Sequence, residues 1–208
     1  MFNSKCKICR RLGQKLFLKG ERCFSPKCSM IKRSYPPGIK GKRGTRGLSE
    51  YGKELREKQK LRFWYGLEER QLKNYVKDIL AKKGKMDAES ALIKKLEARL
   101  DNVIFRLGFA SSRYQARQMI SHGHFQVNGK KVNYPSYQLK KGDLINISPT
   151  AHKKSFFQNL KTKIKKYTPP KWLELNTEKL EGKVIGGPTL EEAAPPAEIS
   201  AILEYYSR

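Results

Sequence analysis

Four cysteines fall within the first 28 residues of this chain, and none follows. They form two pairs, Cys6-x2-Cys9 and Cys23-x4-Cys28, with thirteen residues between the pairs. Two close pairs of this kind bring four thiolates together from two tight turns, which is the donor set that tetrahedral Zn2+ takes. Disulfides are the alternative, but they belong to secreted chains, and the start MFNSKCKICRR lacks the apolar stretch of a signal peptide. An iron–sulfur cluster uses the same ligands. Cys6, Cys9, Cys23 and Cys28 are therefore expected to hold one metal, with zinc ahead of iron–sulfur. No His stands among them, and a closed shell of four thiolates leaves no position for water, so the expected role is structural. The loop it would stiffen carries Arg10, Arg11, Lys15, Lys19 and Arg22 around Leu16, Phe17 and Leu18.

That loop belongs to a wider imbalance of charge. The 208 residues carry a formal net charge of +26, and residues 1–47 hold fourteen Lys or Arg against Glu21 alone. Residues 174–208 instead hold seven Glu and three bases. A basic segment of that density repels itself unless a polyanion neutralises it. A membrane surface would need a basic helix with a bulky apolar face, whereas 35–47 is broken by Pro and Gly; nucleic acid is the expected partner. Residues 35–47 include Lys40, Lys42, Arg43 and Arg46 and read either as a flexible linker or as an arm laid along phosphates. With only 38% of residues apolar, small modules fit better than one large enzyme core. No run approaches the roughly 18 apolar residues of a membrane span, so a soluble, cytoplasmic protein without a membrane or small-molecule partner is expected.

Helical signals begin at Leu48. Ser49 can cap a segment running towards Tyr65, with Leu48, Tyr51 and Leu55 on one face and Lys53, Arg56 and Lys60 on another. Gly66 ends it, and Leu72, Val76, Ile79 and Leu80 mark a second helix stopped by Gly84. Leu92, Leu96, Leu100, Val103, Ile104 and Leu107 then predict one helix up to Gly108, with Arg99, Asn102 and Arg106 on its opposite side. Ser112-x-x-Gln115 is a capping box that opens the next helix, whose core residues are Ala116, Met119 and Ile120. His124 to Gly129 alternates like a strand entering an Asn-Gly hairpin turn flanked by Lys130 and Lys131, and Leu144 to Ile147 makes a closing strand. The result is an α+β arrangement, a helix-turn-helix followed by a small antiparallel sheet.

Arg99, Arg106, Arg113 and Arg117 are expected to form one face, where guanidinium groups suit phosphates and stack on splayed bases. Asn102, Gln115 and Gln118 have the chemistry to read bases, which keeps DNA as an alternative to RNA. His122 and His124 read as RNA contacts or, equally, as a hydrogen-bonded turn.

The run RLDNVIFRLGFASSRYQARQMISHGHFQVNGKKVNYPS resembles the RNA-binding domain named after protein S four of the small ribosomal subunit. CKICRRLG, LKGERCFSPKC, YPPG, EKQKLRFWYG and the terminal EYYSR extend that resemblance, in order, to the universal S-four family of bacterial ribosomal proteins. The resemblance implies a structural constituent of the small subunit that binds its ribosomal RNA early in assembly, next to other ribosomal proteins. It also implies a position by the channel through which messenger RNA enters, with an influence on decoding accuracy. One departure stands at Pro188-Thr-Leu190-Glu, where the family pattern has an arginine in place of Leu190.

The expected organisation is a zinc knuckle and extended arm over 1–47, helices over 48–89, an inserted S-four-type module over 90–150, and a segment over 151–208 that packs back on the first domain. The alternative function is an RNA-modifying or tRNA-related enzyme that carries the same module. Outside the module the sequence offers no phosphate-cradling Gly motif and no nucleophile beside a base, so no catalysis is expected.

Overall fold

The computed structural model describes residues 4–39, 41, 47–81, 87–152, 154–158, 160–164 and 167–207. Lys40, Lys42, Arg43 and Arg46 of the basic arm, and the expected stop Gly84, lie outside the described residues. The chain divides into two units, 1–92 with 194–208, and 93–193.

The first unit opens with three short helices, α1 (Lys5–Leu12), α2 (Glu21–Phe24) and α3 (Ser29–Lys32), followed by the longer α4 (Glu50–Tyr65) and α5 (Glu69–Leu80). Ser49 caps α4 by accepting from the Gly52 N–H, and Gly66 closes it in a left-handed conformation. The buried stripe of α4 is not the expected one. Leu48 and Tyr51 are exposed, and Glu54, Lys58, Leu61 and Tyr65 face inward. The reason is the last helix of the chain, α13 (Ile199–Ser207), which packs on α4 and α5. The Lys58 ammonium lies 4.3 Å from the centre of the Tyr205 ring and 2.8 Å from Glu69 Oε1. Tyr206 donates to the same carboxylate oxygen at 2.8 Å. An aromatic pair and an acid thus seat a lysine where the pattern calls for an apolar residue.

Helix α6 (Ala88–Glu97) leads into the second unit, which contains α7 (Leu100–Arg106), α8 (Arg113–Ser121), β1 (Phe125–Val127), β2 (Lys130–Val132) and β3 (Leu144–Ile147). After β3 come α9 (Pro149–His152), α10 (Ser155–Gln158), α11 (Leu160–Ile164), β4 (Leu173–Asn176), β5 (Glu181–Val184) and α12 (Leu190–Ala193). The single helix expected over 92–107 is two. Arg99 takes an extended backbone with ψ 139° and bridges to Gln138. The freed backbone groups are satisfied there: the Leu100 N–H donates to Tyr137 O at 2.9 Å and the Leu139 N–H to Ala98 O at 2.9 Å.

The sheet has five antiparallel strands in the order β2-β1-β3-β5-β4. Asn128 and Gly129 both take positive φ, +50° and +77°, as the two-residue hairpin between β1 and β2 requires. Gly182 in β5 faces α7 so closely that a Cβ there would stand 2.3 Å from Leu107 Cδ1, which lets the sheet lie against the helix. Trp172 and Leu173 are buried in this unit's core with Phe125, Ile145, Phe157 and Leu160. The expectation that the whole of 151–208 returns to the first unit is therefore corrected: residues 151–193 complete the sheet and its core, and only 194–208 return. Among the described residues no helix is long and apolar enough to cross a membrane.

Candidate nucleic-acid interface

The four arginines of the second unit do come together, but mainly inside the fold. Arg99 is 1% exposed and lays its guanidinium on Asp101 through two hydrogen bonds, Nε to Oδ1 at 3.1 Å and Nη2 to Oδ2 at 2.8 Å. Arg117, from α8, adds a third bond to Asp101 Oδ2 at 3.1 Å and remains partly exposed. Glu97 is fully buried. It accepts from Asn102 Nδ2 at 2.7 Å and from Arg106 Nε and Nη2 at 3.0 Å each. Arg113 donates through Nε to Asn102 Oδ1 at 2.7 Å, places Nη2 3.9 Å from Glu97, and covers the Phe105 ring.

The expected solvent face of Arg99, Asn102, Arg106 and Arg113 is thus corrected to a buried ionic network. A guanidinium taken out of water needs a carboxylate close by; Asp101 supplies one to Arg99 and Arg117, and Glu97 one to Arg106 and, at 3.9 Å, to Arg113. The signal was available in the sequence: both acids sit among these arginines, but their positions have meaning only once the chain breaks at Arg99. Gln115 is also engaged, its Oε1 accepting from the Ser111 N–H at 2.8 Å and hydroxyl at 2.6 Å.

The other expected contact residues of this unit lie at its surface. Gln118, His122, Lys130 and Lys131 are exposed, on and after α8 and along the hairpin. His122 stacks on His124 with ring centres 5.9 Å apart, and Lys154 Nζ lies 3.2 Å from His124 Nε2. Burial, and then the charges of Lys154, His122 and Lys131, hold the His124 pKa below its ordinary value. Lys154 escaped the sequence reading because it lies 30 residues from His124, and no local pattern links the two.

In the first unit Arg10 is turned inward, donating to Tyr35 O at 3.0 Å and Pro36 O at 3.4 Å. It clamps the Tyr-Pro-Pro turn. Lys60 pairs with Glu57 at 2.6 Å. Arg11, Lys19, Arg22 and Lys53 are exposed, while Lys15 and Arg56 are half-buried. Arg10, Arg22, Lys27, Lys32 and Arg33 line one open groove with Ser29. Three of these, Lys27, Lys32 and Arg33, fall outside the expected set. They lie around the second cysteine pair, and folding of that turn is what gathers them.

Cys6, Cys9, Cys23 and Cys28 line one small pocket, and all four are free thiols. Burial pushes the Cys9 thiol up, the Leu16 backbone opposes that, and the other three cysteines add to the rise. The Lys19 N–H points at Cys23 Sγ over 3.4 Å. As placed, no group of three or more His, Cys, Asp or Glu that could hold a metal ion is found among the described residues.

A helix-turn-helix joined to an antiparallel sheet, with basic surfaces outside its core, is the layout of an S-four-type module. Residues 98–145 match the family described as S4 domain, and residues 1–97 match the Ribosomal protein S4/S9 N-terminal domain. The chain is 48% identical to the small ribosomal subunit protein uS4 of Halothermothrix orenii and 49% identical to that of Caldicellulosiruptor bescii, each over 98% of this chain and 96% of the relative. It is 46% identical to the Thermus thermophilus protein of the same name, again over 98% and 96%. The chain belongs to the uS4 family of small ribosomal subunit proteins.

Proposed function

We propose that this chain is a non-enzymatic, structural constituent of the small ribosomal subunit, working in the cytoplasm and binding small-subunit ribosomal RNA directly. The observation that carries this is identity of 48–49% along almost the full length of proteins named for that particle. The relatives matched along both units are named as ribosomal proteins, and the enzyme alternative is not favoured.

The geometry supports two RNA-facing surfaces, one in each unit. In the first, Arg11, Lys15, Lys19, Arg22, Lys53 and Arg56 act with Lys27, Lys32 and Arg33; Lys40, Lys42, Arg43 and Arg46 are assigned to RNA on their charge in the sequence alone. In the second, Arg117, Gln118, His122, His124, Lys130, Lys131 and Lys154 face RNA. The strong positive charge favours phosphate contacts, which position the protein and make its affinity depend on salt. Neighbouring ribosomal proteins are further partners. A place by the channel that admits messenger RNA, with an effect on decoding accuracy, is the finer part of the proposal.

Cys6, Cys9, Cys23 and Cys28 are proposed to hold one structural Zn2+. The support is that all four thiols border one pocket within a segment too polar to make a large core. Four soft donors suit zinc, which would tie two turns together and take no part in chemistry. An iron–sulfur cluster remains the alternative metal.

Footprinting of ribosomal RNA with the full-length chain tests the central claim. The expected outcome is protection confined to one region of small-subunit RNA, with affinity falling steeply with salt. Equal affinity for duplex DNA and folded ribosomal RNA overturns it.

A further inference from the structure

Phe17 and Phe24 are exposed on a basic, polar surface; Phe17 also borders the pocket of the four thiols, whereas Phe24 is not among its lining residues. Their rings stack, with centres 4.9 Å apart and planes 25° from parallel. Phe17 is 41% exposed and Phe24 75%. The placement is built rather than incidental. Leu16 and Leu18 on either side are buried at 2% and 3% exposure, and Phe17 is turned outward between them by a left-handed backbone, φ +53°. For a bulky residue that conformation is strained. Strain spent on exposing an apolar ring is the reverse of what folding alone selects.

The surroundings define what can cover the rings. Lys19, Arg22 and Lys27 are all exposed around them in sequence, and Arg22 and Lys27 belong to the five-cation groove. An apolar protein surface brought there would leave those cations without water or partners. A nucleotide satisfies both demands, since its base offers a π-face and its phosphate a negative charge.

We infer that Phe17 and Phe24 form a stacking platform for one unpaired base of the bound ribosomal RNA, with Phe24 as the outer ring that touches the base. The phosphates flanking that base lie towards Arg22 and Lys27. This rests on the RNA-binding reading above and adds to it a contact independent of charge.

The test uses the full-length chain and small-subunit ribosomal RNA, with Phe24→Ala, Phe24→Leu and Phe24→Trp, each checked by thermal melting. The expected result is that Ala and Leu weaken binding by about 5- to 150-fold, the span that stacking of one base supplies, while Trp retains wild-type affinity. All four proteins should show the same dependence on salt, because no phosphate contact is removed. Footprints should differ at one unpaired nucleotide, which becomes reactive with Ala and Leu only. Wild-type affinity for Leu overturns the platform and leaves the RNA-binding reading intact. Unchanged RNA affinity for every variant, with Ala lost from reconstituted subunits, assigns the rings to a neighbouring protein and also overturns it. A wild-type chain that does not bind the RNA refutes both.

Discussion

Several arginines of the two units are held in opposite ways. In the second, Arg99, Arg106 and Arg113 are drawn into the fold by two acids, Glu97 and Asp101. In the first, Arg11 and Arg22 stay in water, and Arg22 shares a groove with four other cations and no acid. The residue type is the same, and what differs is whether carboxylates stand within reach. A basic residue beside a buried acid belongs to the stability of the fold. An exposed basic residue without one can meet an anion that arrives from outside.

The largest test of this contrast concerns what keeps the exposed bases in place. The zinc proposed at Cys6, Cys9, Cys23 and Cys28 would contribute on the order of 10–16 kcal/mol of apparent binding free energy at neutral pH, and in so small a segment that energy would also drive folding. Chelation, or Cys9→Ser with Cys23→Ser, should open residues 4–39 to protease while 93–193 stays resistant. Metal analysis should find about one zinc per chain with four sulfur ligands. Absence of metal together with disulfide-linked cysteines breaks this half of the comparison, and iron in place of zinc sharpens it without removing the site.

The second test strikes the buried network. Glu97→Ala removes the acid that accepts from Asn102 and Arg106 and faces Arg113, leaving buried guanidinium charge without compensation. Breaking such a pair costs about 3–5 kcal/mol, read as a drop in the urea midpoint with an unchanged slope. Arg113→Ala should also destabilise, since it strips Asn102 of its Nε donor and Phe105 of its cover. If both variants melt like the wild type and lose only RNA affinity, these arginines face RNA after all and the contrast fails.

How much of this was legible beforehand follows from range. The Ser49 cap, the Gly66 stop, the α8 start at Ser112 and the Asn128-Gly129 hairpin are local instructions, each complete within a few residues. What failed needed distant partners. The break at Arg99 depends on Gln138 and Tyr137. Lys58 is buried where Tyr205, Tyr206 and Glu69 gather around it, and β4 with β5 joins the sheet across a long connection. The candidate interface was misread for the same reason. Counting bases along a helix locates positive charge, but the acid that cancels it becomes visible only when the backbone is folded.

A third test isolates the exposed side of the comparison. Arg22→Ala and Lys27→Ala should each leave stability within about 0.5 kcal/mol of the parent, as surface changes do. Each should reduce the magnitude of the slope of log affinity against log salt by about 0.7 to 0.9 if its side chain neutralises one phosphate. Glu97→Ala provides the mirror image, lower stability with an unchanged slope at temperatures where it is folded. A slope that does not change with Arg22 or Lys27 moves the interface away from the groove.

The smallest effect belongs to His124, which sits between the two regimes: half-buried, close to three positive or titratable neighbours and paired with no acid among its named contacts. Burial comes first and the charges of Lys154, His122 and Lys131 second, and both disfavour the imidazolium, so the folded-state pKa lies below the ordinary value. The sign follows from that. The unfolded chain takes up the proton more readily, so this residue's contribution to stability is fully present above the ordinary histidine pKa, near 6.5, and is lost as pH falls through that value towards the folded one. RNA phosphates laid over Lys131 and Lys154 would cancel the repulsion and raise the His124 pKa. Proton uptake would then accompany binding, and affinity would rise modestly as pH falls below 7. Titration of the imidazole by NMR, free and RNA-bound, checks both steps. An upward shift on binding, abolished by Lys154→Ala with Lys131→Ala, places RNA on the hairpin surface; an unmoved pKa leaves the first unit as the main RNA contact.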